Sequence, residues 1–273
     1  MPGLAPQYSL GSTDAELRRL IDLASHEQDH VMDACRRAGI GEGASALDLG
    51  CGPLGALAAL AAVVGPGGSV TGIDASAAAL EKARTLLPSS DYPHVQLLRA
   101  DLNEVTREGA VDLAYCRLVL LHQTDPARSL RRIATLLRPG GVVIAHEPSD
   151  LAMHAPASEP PVPAMTRVWE LVIAAARSRG AQTDFGLRGR AYFEAAGLVV
   201  ESHHAYTVHY APGIGYAIPR AALHSLRPVL AERGLASEEE IERLDRELAA
   251  ARHRPDVQWV ASPLMFEWIA RKA

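Results

Sequence analysis

The segment at residues 46–55, ALDLGCGPLG, limits what this chain can fold into more than any other part of its sequence. An apolar run ends in Asp48 and is followed by Gly50, Gly52 and Gly55. Glycine lacks Cβ and reaches positive φ at low cost, so the backbone can leave a strand, turn sharply and approach a ligand closely. The segment therefore predicts a nucleotide-binding turn. Because the three glycines also match G-x-G-x-x-G, this segment alone leaves open which kind of nucleotide binds.

The residues after the glycines complete a βαβ unit. Residues 56–64 form an apolar run suited to a helix, residues 65–68 form a glycine-rich break, and residues 69–74 have the pattern of a second strand. Asp74 ends that strand, where an acidic side chain can accept hydrogen bonds from ribose hydroxyls. A nicotinamide enzyme and an S-adenosylmethionine enzyme would both use an acidic residue at this place.

Two further acidic residues favour S-adenosylmethionine over a dinucleotide. Asp48 stands two residues before the first glycine, where its carboxylate can organise the turn and face a cationic methionine group directly or through water. A pyrophosphate would gain nothing from a carboxylate there. Residues 95–102 have the pattern of a third strand with Asp101 near its end, placed to accept a hydrogen bond from an adenine amino group.

The alternation of strands and helices continues beyond this point. Residues 111–116 predict a fourth strand, which runs into the segment 117–122. The residues Thr-Asp-Pro at 124–126 mark the start of a helix that we expect to reach Arg138. Residues 142–145 predict a fifth strand.

Five segments in this order, DLGCGPLG, GIDAS, ADL, DLAYCRLVLLH and LLRPGGVVIAHEP, resemble the successive motifs of class I S-adenosylmethionine-dependent methyltransferases over about residues 40 to 150. The resemblance implies an α/β fold with a Rossmann-like, seven-stranded, mostly parallel sheet, its last strand antiparallel and helices on both faces. It implies S-adenosyl-L-methionine as cofactor and S-adenosyl-L-homocysteine as product. Leu54 departs from the family, because many members have a third close glycine there. The predicted cofactor contacts are Asp48, Gly50, Cys51, Gly52, Asp74, Ala75, Ala100, Asp101, Leu102 and Cys116.

Composition and charge limit the kinds of partner that we expect this chain to bind. The net charge is −5, and of the 27 basic residues only Lys82 and Lys272 are lysines, with no basic cluster or tail. We therefore expect no nucleic-acid partner and a small-molecule substrate. No apolar stretch has the length and flanks of a membrane span, and the N-terminus lacks a secretory pattern, so we expect no membrane partner and a cytoplasmic protein. The sequence leaves a monomer and a homodimer open.

We expect the segments outside the shared motifs to form the part of the protein that binds the substrate. We expect residues 1–40 to form an N-terminal helical lid and residues 41–273 to form the methyltransferase domain. Helical additions are predicted at about 151–196 and, before the last strand, at about 212–256. The proline-rich segment 156–163 follows the fifth strand, so we expect it to border the substrate pocket.

Methyl transfer needs an aligned acceptor, and a positioned base helps when the acceptor carries a proton. Three residues at the ends of the fourth and fifth strands are candidate catalytic groups: His122, His146 and Glu147. One of the adjacent pair should face the pocket, and a capping or packing role is the alternative for each candidate. The residues predicted to contact the acceptor are Tyr8, His26, Arg117, His122 and Asp150.

We predict no metal site. His203 and His209 would lie on one face of a strand but about 20 Å apart, too far to share an ion. Cys35, Cys51 and Cys116 show no C-x-x-C pairing, which argues against zinc and against a disulfide framework.

The sequence bears on three alternative functions. An NAD(P)-dependent oxidoreductase of the short-chain type is disfavoured, because no tyrosine is followed four residues later by lysine. A methyltransferase acting on protein or RNA is disfavoured, because the fourth strand is not followed by a D/N-P-P-Y/F segment. A protein that keeps this fold but uses S-adenosylmethionine structurally, for a cyclisation or another rearrangement, stays open. The resemblance is nearest to methyltransferases of bacterial secondary metabolism.

Overall fold

A computed structural model describes residues 14–106, 109–150 and 158–273, without the side chains of residues 15 and 16. Tyr8 and the start of the proline-rich segment lie outside these ranges. The strands are β1 (Ser45–Leu49), β2 (Ser69–Asp74), β3 (Val95–Arg99), β4 (Val111–Arg117), β5 (Leu137–Pro148), β6 (Ser158–Glu159), β7 (Leu198–Tyr206), β8 (His209–Tyr210), β9 (Trp259–Ala261) and β10 (Met265–Lys272). The helices are α1 (Asp14–Arg37), α2 (Leu57–Val64), α3 (Ala77–Leu86), α4 (Pro126–Leu136), α5 (Pro163–Arg177), α6 (Phe185–Ala195), α7 (Pro212–Glu232) and α8 (Glu238–Ala251).

Seven strands form the main sheet in the order β3-β2-β1-β4-β5-β10-β7. Strands β1 to β5 pair in parallel, whereas β10 pairs antiparallel with both β5 and β7. This topology confirms the predicted fold class. The strand order reverses between β1 and β4, and ligands of open α/β sheets bind beyond the carboxyl ends of the strands at such a point.

Both faces of this sheet are covered. Helices α1, α2 and α3 pack on one face against residues such as Leu113 and Ile144, which are fully buried. Helices α4 and α6 pack on the other face against Leu47 and Leu49. Burial on both faces explains why the inner strands are continuous apolar runs rather than alternating ones.

A separate layer lies beside the main sheet. Helices α5, α7 and α8 share their own apolar core, and β6, β9 and β8 form a small antiparallel sheet beside them. These helices lie within the ranges 151–196 and 212–256, and their role on the substrate side stays a prediction. Ser237 caps α8 by accepting the backbone N–H of Glu240. The small sheet was not predicted, because strands of two or three residues are too short to show alternation.

Some boundaries differ from the prediction. Helix α4 ends at Leu136, because Leu137 already pairs with β4, and it begins at Pro126 with Asp125 as its cap, as predicted. After α6 the chain forms β7 and β8, and the last strand begins at Met265.

Two findings concern the described residues as a whole. None of their helices combines the length and the hydropathy that a bilayer span requires. Cys35, Cys51 and Cys116 are buried and free.

Candidate active site

The turn after β1 has the strained geometry that its glycines predict. Gly50 has φ of 72° and Gly55 has φ of 52°, both in the left-handed region. A Cβ on Gly50 would lie 2.5 Å from Cγ2 of Val119, and a Cβ on Gly55 would lie 2.5 Å from Oδ2 of Asp48. Glycine is therefore needed at both positions for conformation and for space.

Asp48 lies beneath this turn. Its side chain is almost fully buried, and Oδ2 accepts the backbone N–H of Ala56 at 2.7 Å. Burial raises the pKa of Asp48 to about 7, although the N–H of Ala56 opposes the shift. The carboxylate therefore organises the turn, and its predicted contact with the methionine group stays a prediction.

Asp74 joins the glycine turn to the start of α3. Its Oδ2 accepts the N–H of Gly52 at 2.8 Å, and its Oδ1 accepts the N–H of Ser76 at 2.7 Å. Each carboxylate oxygen keeps a further lone pair for a ribose hydroxyl. The arrangement fits a nucleoside, with Ala75 next to the same carboxylate.

Among the other predicted cofactor residues, one makes polar contacts and three have side chains buried in the apolar core. Asp101 accepts both the backbone N–H (2.8 Å) and the Nδ2 amide (3.1 Å) of Asn103, close to Ala100. The side chains of Cys51, Leu102 and Cys116 belong to the apolar core. Any contact of those three residues with a cofactor must therefore come mainly from the backbone.

A cavity with an empty volume of about 1040 Å³ adjoins this turn. Its walls come from α1, the ends of β4 and β5, α5, α7 and the β9–β10 connection. Most of the lining side chains are apolar: Leu23, Leu118, Leu121, Pro148, Met165, Trp169, Val172, Ile173, Ala176, Ile218, Ala222, Ala261, Pro263 and Met265. The polar ones are Arg19, Glu27, Arg117, His122, Thr183, Tyr210 and Ser262.

The segment after β4 is shared by the cavity and the glycine turn. Leu118 lines the cavity with φ of 57°, a conformation that a side chain such as leucine rarely adopts. The next residue, Val119, packs on Gly50. Strained backbone of this kind concentrates at functional sites.

Glu147 holds that segment in place. Its fully buried carboxylate accepts the backbone N–H groups of Val119 (2.9 Å), Leu120 (2.8 Å) and Leu121 (3.3 Å). Burial raises its pKa to about 7, against the effect of these hydrogen bonds. The structure thus gives Glu147 a structural role.

His146 also lies away from the cavity. Its ring is fully buried, and Nδ1 is 2.6 Å from the hydroxyl oxygen of Tyr206. The prediction that His146 or Glu147 faces the pocket therefore needs correction, because neither belongs to the cavity wall. Both faces of the sheet are covered at this point. Of two adjacent strand residues, one therefore enters the core on one face and the other enters the core on the opposite face.

His122 and Arg117 are the predicted residues that do line the cavity. Burial, assisted by the charge of Arg19, lowers the pKa of His122 to about 4, so its imidazole is neutral at pH 7. Nη2 of Arg117 donates to the carbonyl of Gly55 at 3.4 Å, whereas Nη1 is buried with no hydrogen-bond partner among the described residues. Burial lowers the pKa of Arg117, but Tyr115, Glu27 and Asp48 outweigh it, so the guanidinium stays charged.

His26 and Asp150, the other predicted acceptor contacts among the described residues, lie outside the cavity wall. Nδ1 of His26 is 2.8 Å from the carbonyl oxygen of Asp22. Asp150 is buried and accepts the hydroxyl of Thr183 at 2.7 Å, with Arg177 paired to the same oxygen. Both side chains therefore have local structural partners. The described part of the proline-rich segment pairs with β9 and does not line the cavity, contrary to expectation.

Sequence reasoning missed three wall residues on α1. Arg19, Leu23 and Glu27 follow one another at intervals of four, so they share one face of the helix. That spacing was available in the sequence, but charged residues at helical spacing usually mark a solvated face. Here Glu27 is only 3% exposed, because the face is turned onto the cavity.

Metal ligands were also sought. Across the described ranges, no group of three or more His, Cys, Asp or Glu side chains is arranged to hold an ion. His203 instead stacks on Trp268 and His209 on Trp259. Metal independence stays a prediction.

The fold and the turn define a class I nucleoside-binding α/β protein, and comparison with known proteins identifies its family. A family model described as a methyltransferase domain matches residues 40–186, more than half of the chain. A trans-aconitate 2-methyltransferase from Methylobacterium nodulans is 30% identical over 223 residues, which cover 80% of this chain and 81% of that protein. The chain therefore belongs to the methyltransferase domain family, and the resemblance to class I S-adenosylmethionine-dependent methyltransferases is confirmed.

Other comparisons are shorter or more distant. The chain spans 30% and 39% of the length of two further relatives, which are 42% and 43% identical to it over 107 residues. A phosphoethanolamine N-methyltransferase of Haemonchus contortus, solved with S-adenosylhomocysteine, has a TM-score of 0.54 at 17% identity, covering 89% of this chain and 52% of that one. The (4+2)-cyclase SpnF has a TM-score of 0.54 at 19% identity, covering 89% and 81%. At these identities the two structures show a shared fold.

Proposed function

We propose that this protein transfers a methyl group from S-adenosyl-L-methionine to a small, largely apolar organic acceptor bound in the cavity, as part of bacterial secondary metabolism. One observation carries the proposal. Leu118 and His122 line the cavity while Val119, between them, packs on the glycine turn. The predicted cofactor site and the acceptor cavity therefore share one short segment, which would bring a bound methyl donor next to a bound acceptor.

The walls favour an apolar acceptor with a single polar group. Trans-aconitate, which the curated relative is named for, is a tricarboxylate. The described cavity wall offers only two guanidinium groups, Arg19 and Arg117, and it also carries the acidic Glu27. Three carboxylates among otherwise apolar walls would lose hydration without enough partners. We therefore infer a substrate different from that of this relative.

Two predicted residues receive roles in this proposal. Arg117 has a buried Nη1 with no hydrogen-bond partner in the described part of the chain, and in our proposal it is the donor for a polar or anionic oxygen of the acceptor. His122 is neutral, so it orients the acceptor by a hydrogen bond. Because the pKa of His122 is about 4, its imidazole is a poor proton acceptor at neutral pH.

The bound cofactor would supply an activated methyl group on a sulfonium. In our proposal the backbone at Gly50 and Gly52 approaches it, Asp74 binds the ribose hydroxyls and Asp101 binds the adenine amino group. The protein then contributes alignment of the acceptor and exclusion of water, which together supply much of the rate enhancement of such a displacement.

Mass spectrometry of the nucleotide released from freshly purified, denatured protein tests the cofactor. Release or direct calorimetric binding of S-adenosylmethionine or S-adenosylhomocysteine supports the proposal, whereas NAD(P) would contradict it. Incubation with the methyl-labelled cofactor and an extract of apolar metabolites then tests transfer. A labelled product supports methylation, and a product of unchanged mass would instead indicate the rearrangement alternative.

A further inference from the structure

A series of four polar side chains leads from the cavity into the sheet. It consists of Glu27, Tyr206, His146 and Glu267. The hydroxyl of Tyr206 donates to Oε2 of Glu27 at 2.9 Å, and Nδ1 of His146 lies 2.6 Å from the same hydroxyl oxygen. On the other side of the ring, Nε2 of His146 is 3.6 Å from Oε2 of Glu267. We call these four residues the polar series.

One end of the polar series lies in the cavity wall, and the other end is a buried, ion-paired carboxylate. Glu27 belongs to the cavity wall. Glu267 accepts both of its hydrogen bonds from Nη2 of Arg37, at 2.7 and 2.6 Å, and its Oε1 is 3.5 Å from Nδ1 of His204. Glu267 itself is only 2% exposed.

Packing alone does not explain this arrangement. Glu27, His146 and Glu267 are each at most 3% exposed, and burying carboxylates costs free energy that apolar residues of similar volume would not cost. The hydrogen-bonded part of the series runs from Glu27 through Tyr206 to Nδ1 of His146, whereas Nε2 of His146 has no hydrogen-bond partner among the described residues.

The charges around the series keep its middle members neutral. Burial, and then Glu27, raises the pKa of Tyr206, so its hydroxyl keeps its proton at neutral pH. Burial lowers the pKa of His146, and the neighbouring Arg117, His30 and Arg37 lower it further. A neutral phenol and a neutral imidazole are groups that can each accept one proton while giving up another.

We propose that Glu27 removes the proton of the methyl acceptor and that Tyr206, held in turn by His146, positions the Glu27 carboxylate. This inference rests on the proposed methyl transfer. The acceptor O–H or N–H bond breaks, its proton goes to Glu27, a bond forms between the acceptor atom and the methyl carbon, and the sulfur keeps the electron pair of the broken S–C bond.

The proton stays on Glu27 during methyl transfer and passes to solvent when the product leaves the open cavity. Tyr206 donates to Glu27, and His146, protonated on Nδ1, donates in turn to the oxygen of Tyr206. The observed donation from Tyr206 to Glu27, with Nδ1 of His146 at 2.6 Å from the Tyr206 oxygen, is that arrangement.

The tautomer of His146 provides a test that needs no acceptor. Nitrogen-15 NMR of the full chain labelled at histidine, with His146→Gln to assign the resonance, should show the Nδ1–H tautomer at neutral pH. Glu27→Met removes the acceptor of the Tyr206 hydroxyl, which should turn to Nδ1 and shift His146 to the Nε2–H tautomer. Tyr206→Phe should produce the same shift, and it replaces Glu27→Met in this test if that variant does not fold.

A matched control removes a neighbouring hydroxyl that is outside the series. The Tyr115 ring lies 5.4 Å from the His146 ring, and its buried hydroxyl has no hydrogen-bond partner among the described residues. Tyr115→Phe should keep the Nδ1–H tautomer. If Glu27→Met and Tyr206→Phe both keep it as well, the positioning of Glu27 by Tyr206 and His146 is overturned.

A kinetic test separates base catalysis from a structural role. Phenol and 4-nitrophenol serve as probe acceptors with methyl-labelled S-adenosylmethionine. Glu27→Met should lower the rate with phenol by about 10² to 10⁴ but should lower the rate with the far more acidic 4-nitrophenol much less, because that phenol ionises without help. Equal losses would overturn the inference while leaving methyl transfer intact.

The proposed function fails by a different observation. Absence of S-adenosylmethionine binding to the wild-type protein in calorimetry would contradict methyl transfer itself. If the wild-type protein binds the cofactor but methylates neither phenol, the tautomer measurement alone decides whether Tyr206 and His146 position Glu27.

Discussion

Gly39 and Gly50 have almost the same backbone conformation, with φ of 74° and 72°, but different surroundings. A Cβ on Gly39 would meet nothing within 4 Å, whereas one on Gly50 would lie 2.5 Å from Val119. We expect Gly39→Ala to cost about 1–2 kcal/mol of unfolding free energy, the strain of the left-handed region alone. Gly50→Ala should cost more and abolish cofactor binding, as urea unfolding and calorimetry would show. Equal effects of the two substitutions would contradict a packed glycine turn.

Asp74 is the single side chain on which nucleoside affinity should depend most. Its carboxylate holds Gly52 and Ser76 and keeps lone pairs for a ribose. We expect Asp74→Ala to weaken S-adenosylmethionine binding by about 1.5–3 kcal/mol, roughly tenfold to a hundredfold in Kd. Asp91→Ala, at an exposed aspartate, is the control. An unchanged Kd for Asp74→Ala in calorimetry would show that the ribose assignment is wrong.

At the scale of an element, Glu147 fixes the segment between β4 and α4. A glutamine there has one acceptor oxygen and an amide that faces backbone N–H groups, so some of the three hydrogen bonds would be lost. We expect Glu147→Gln to lower the unfolding free energy by about 1–3 kcal/mol. Glu194→Gln, at an exposed site, should change it little. Denaturant unfolding that ranks the two variants equally would argue against this role.

Asp112 links the first residues of β4 and β1. Its Oδ2 accepts the backbone N–H and the hydroxyl of Ser45, both at 2.7 Å, and Arg138 lies against Oδ1. Burial raises its pKa, but the bonds from Ser45 and then Arg138 outweigh it, so the pKa is lowered from 3.8.

A folded-state pKa below the unfolded value gives stability that is present above about pH 4 and lost as the pH falls through the lowered value. We expect the wild-type protein to be more stable than Asp112→Asn by on the order of 1 kcal/mol at pH 6. This difference should shrink as unfolding is measured at lower pH toward 2. A difference that does not depend on pH would contradict the ionic role of Asp112.

At the scale of the whole molecule, cofactor binding should stabilise the fold. The glycine turn, Asp74 and the segment after β4 come from three strands, so a nucleoside that contacts all three binds only the folded state. S-Adenosylmethionine at about 100 times its Kd should add about 2.7 kcal/mol to the unfolding free energy. NADH at the same concentration should add none. Stabilisation by NADH but not by S-adenosylmethionine would reverse the choice of cofactor.

The elements of the sheet were predictable because their signals are local. The strand ending at Asp74, the cap at Asp125 and the glycine turn each depend on a few neighbouring residues. The small sheet of β6, β8 and β9 was not predictable, because its pairing is set by the packing of α5, α7 and α8 rather than by any pattern in its own residues.

The sequence by itself determined the fold class, the family and the position of the nucleoside-binding turn, because glycine conformation and strand periodicity act over short stretches of chain. Only the tertiary structure decided which polar residues meet. Glu27 and Tyr206 are 179 positions apart, yet their side chains are hydrogen-bonded. His146 and Glu147 end a strand as predicted, but the layers that cover both faces of the sheet keep them out of the cavity. That cavity forms between elements distant in sequence, so its walls depend on how the helices pack on the sheet.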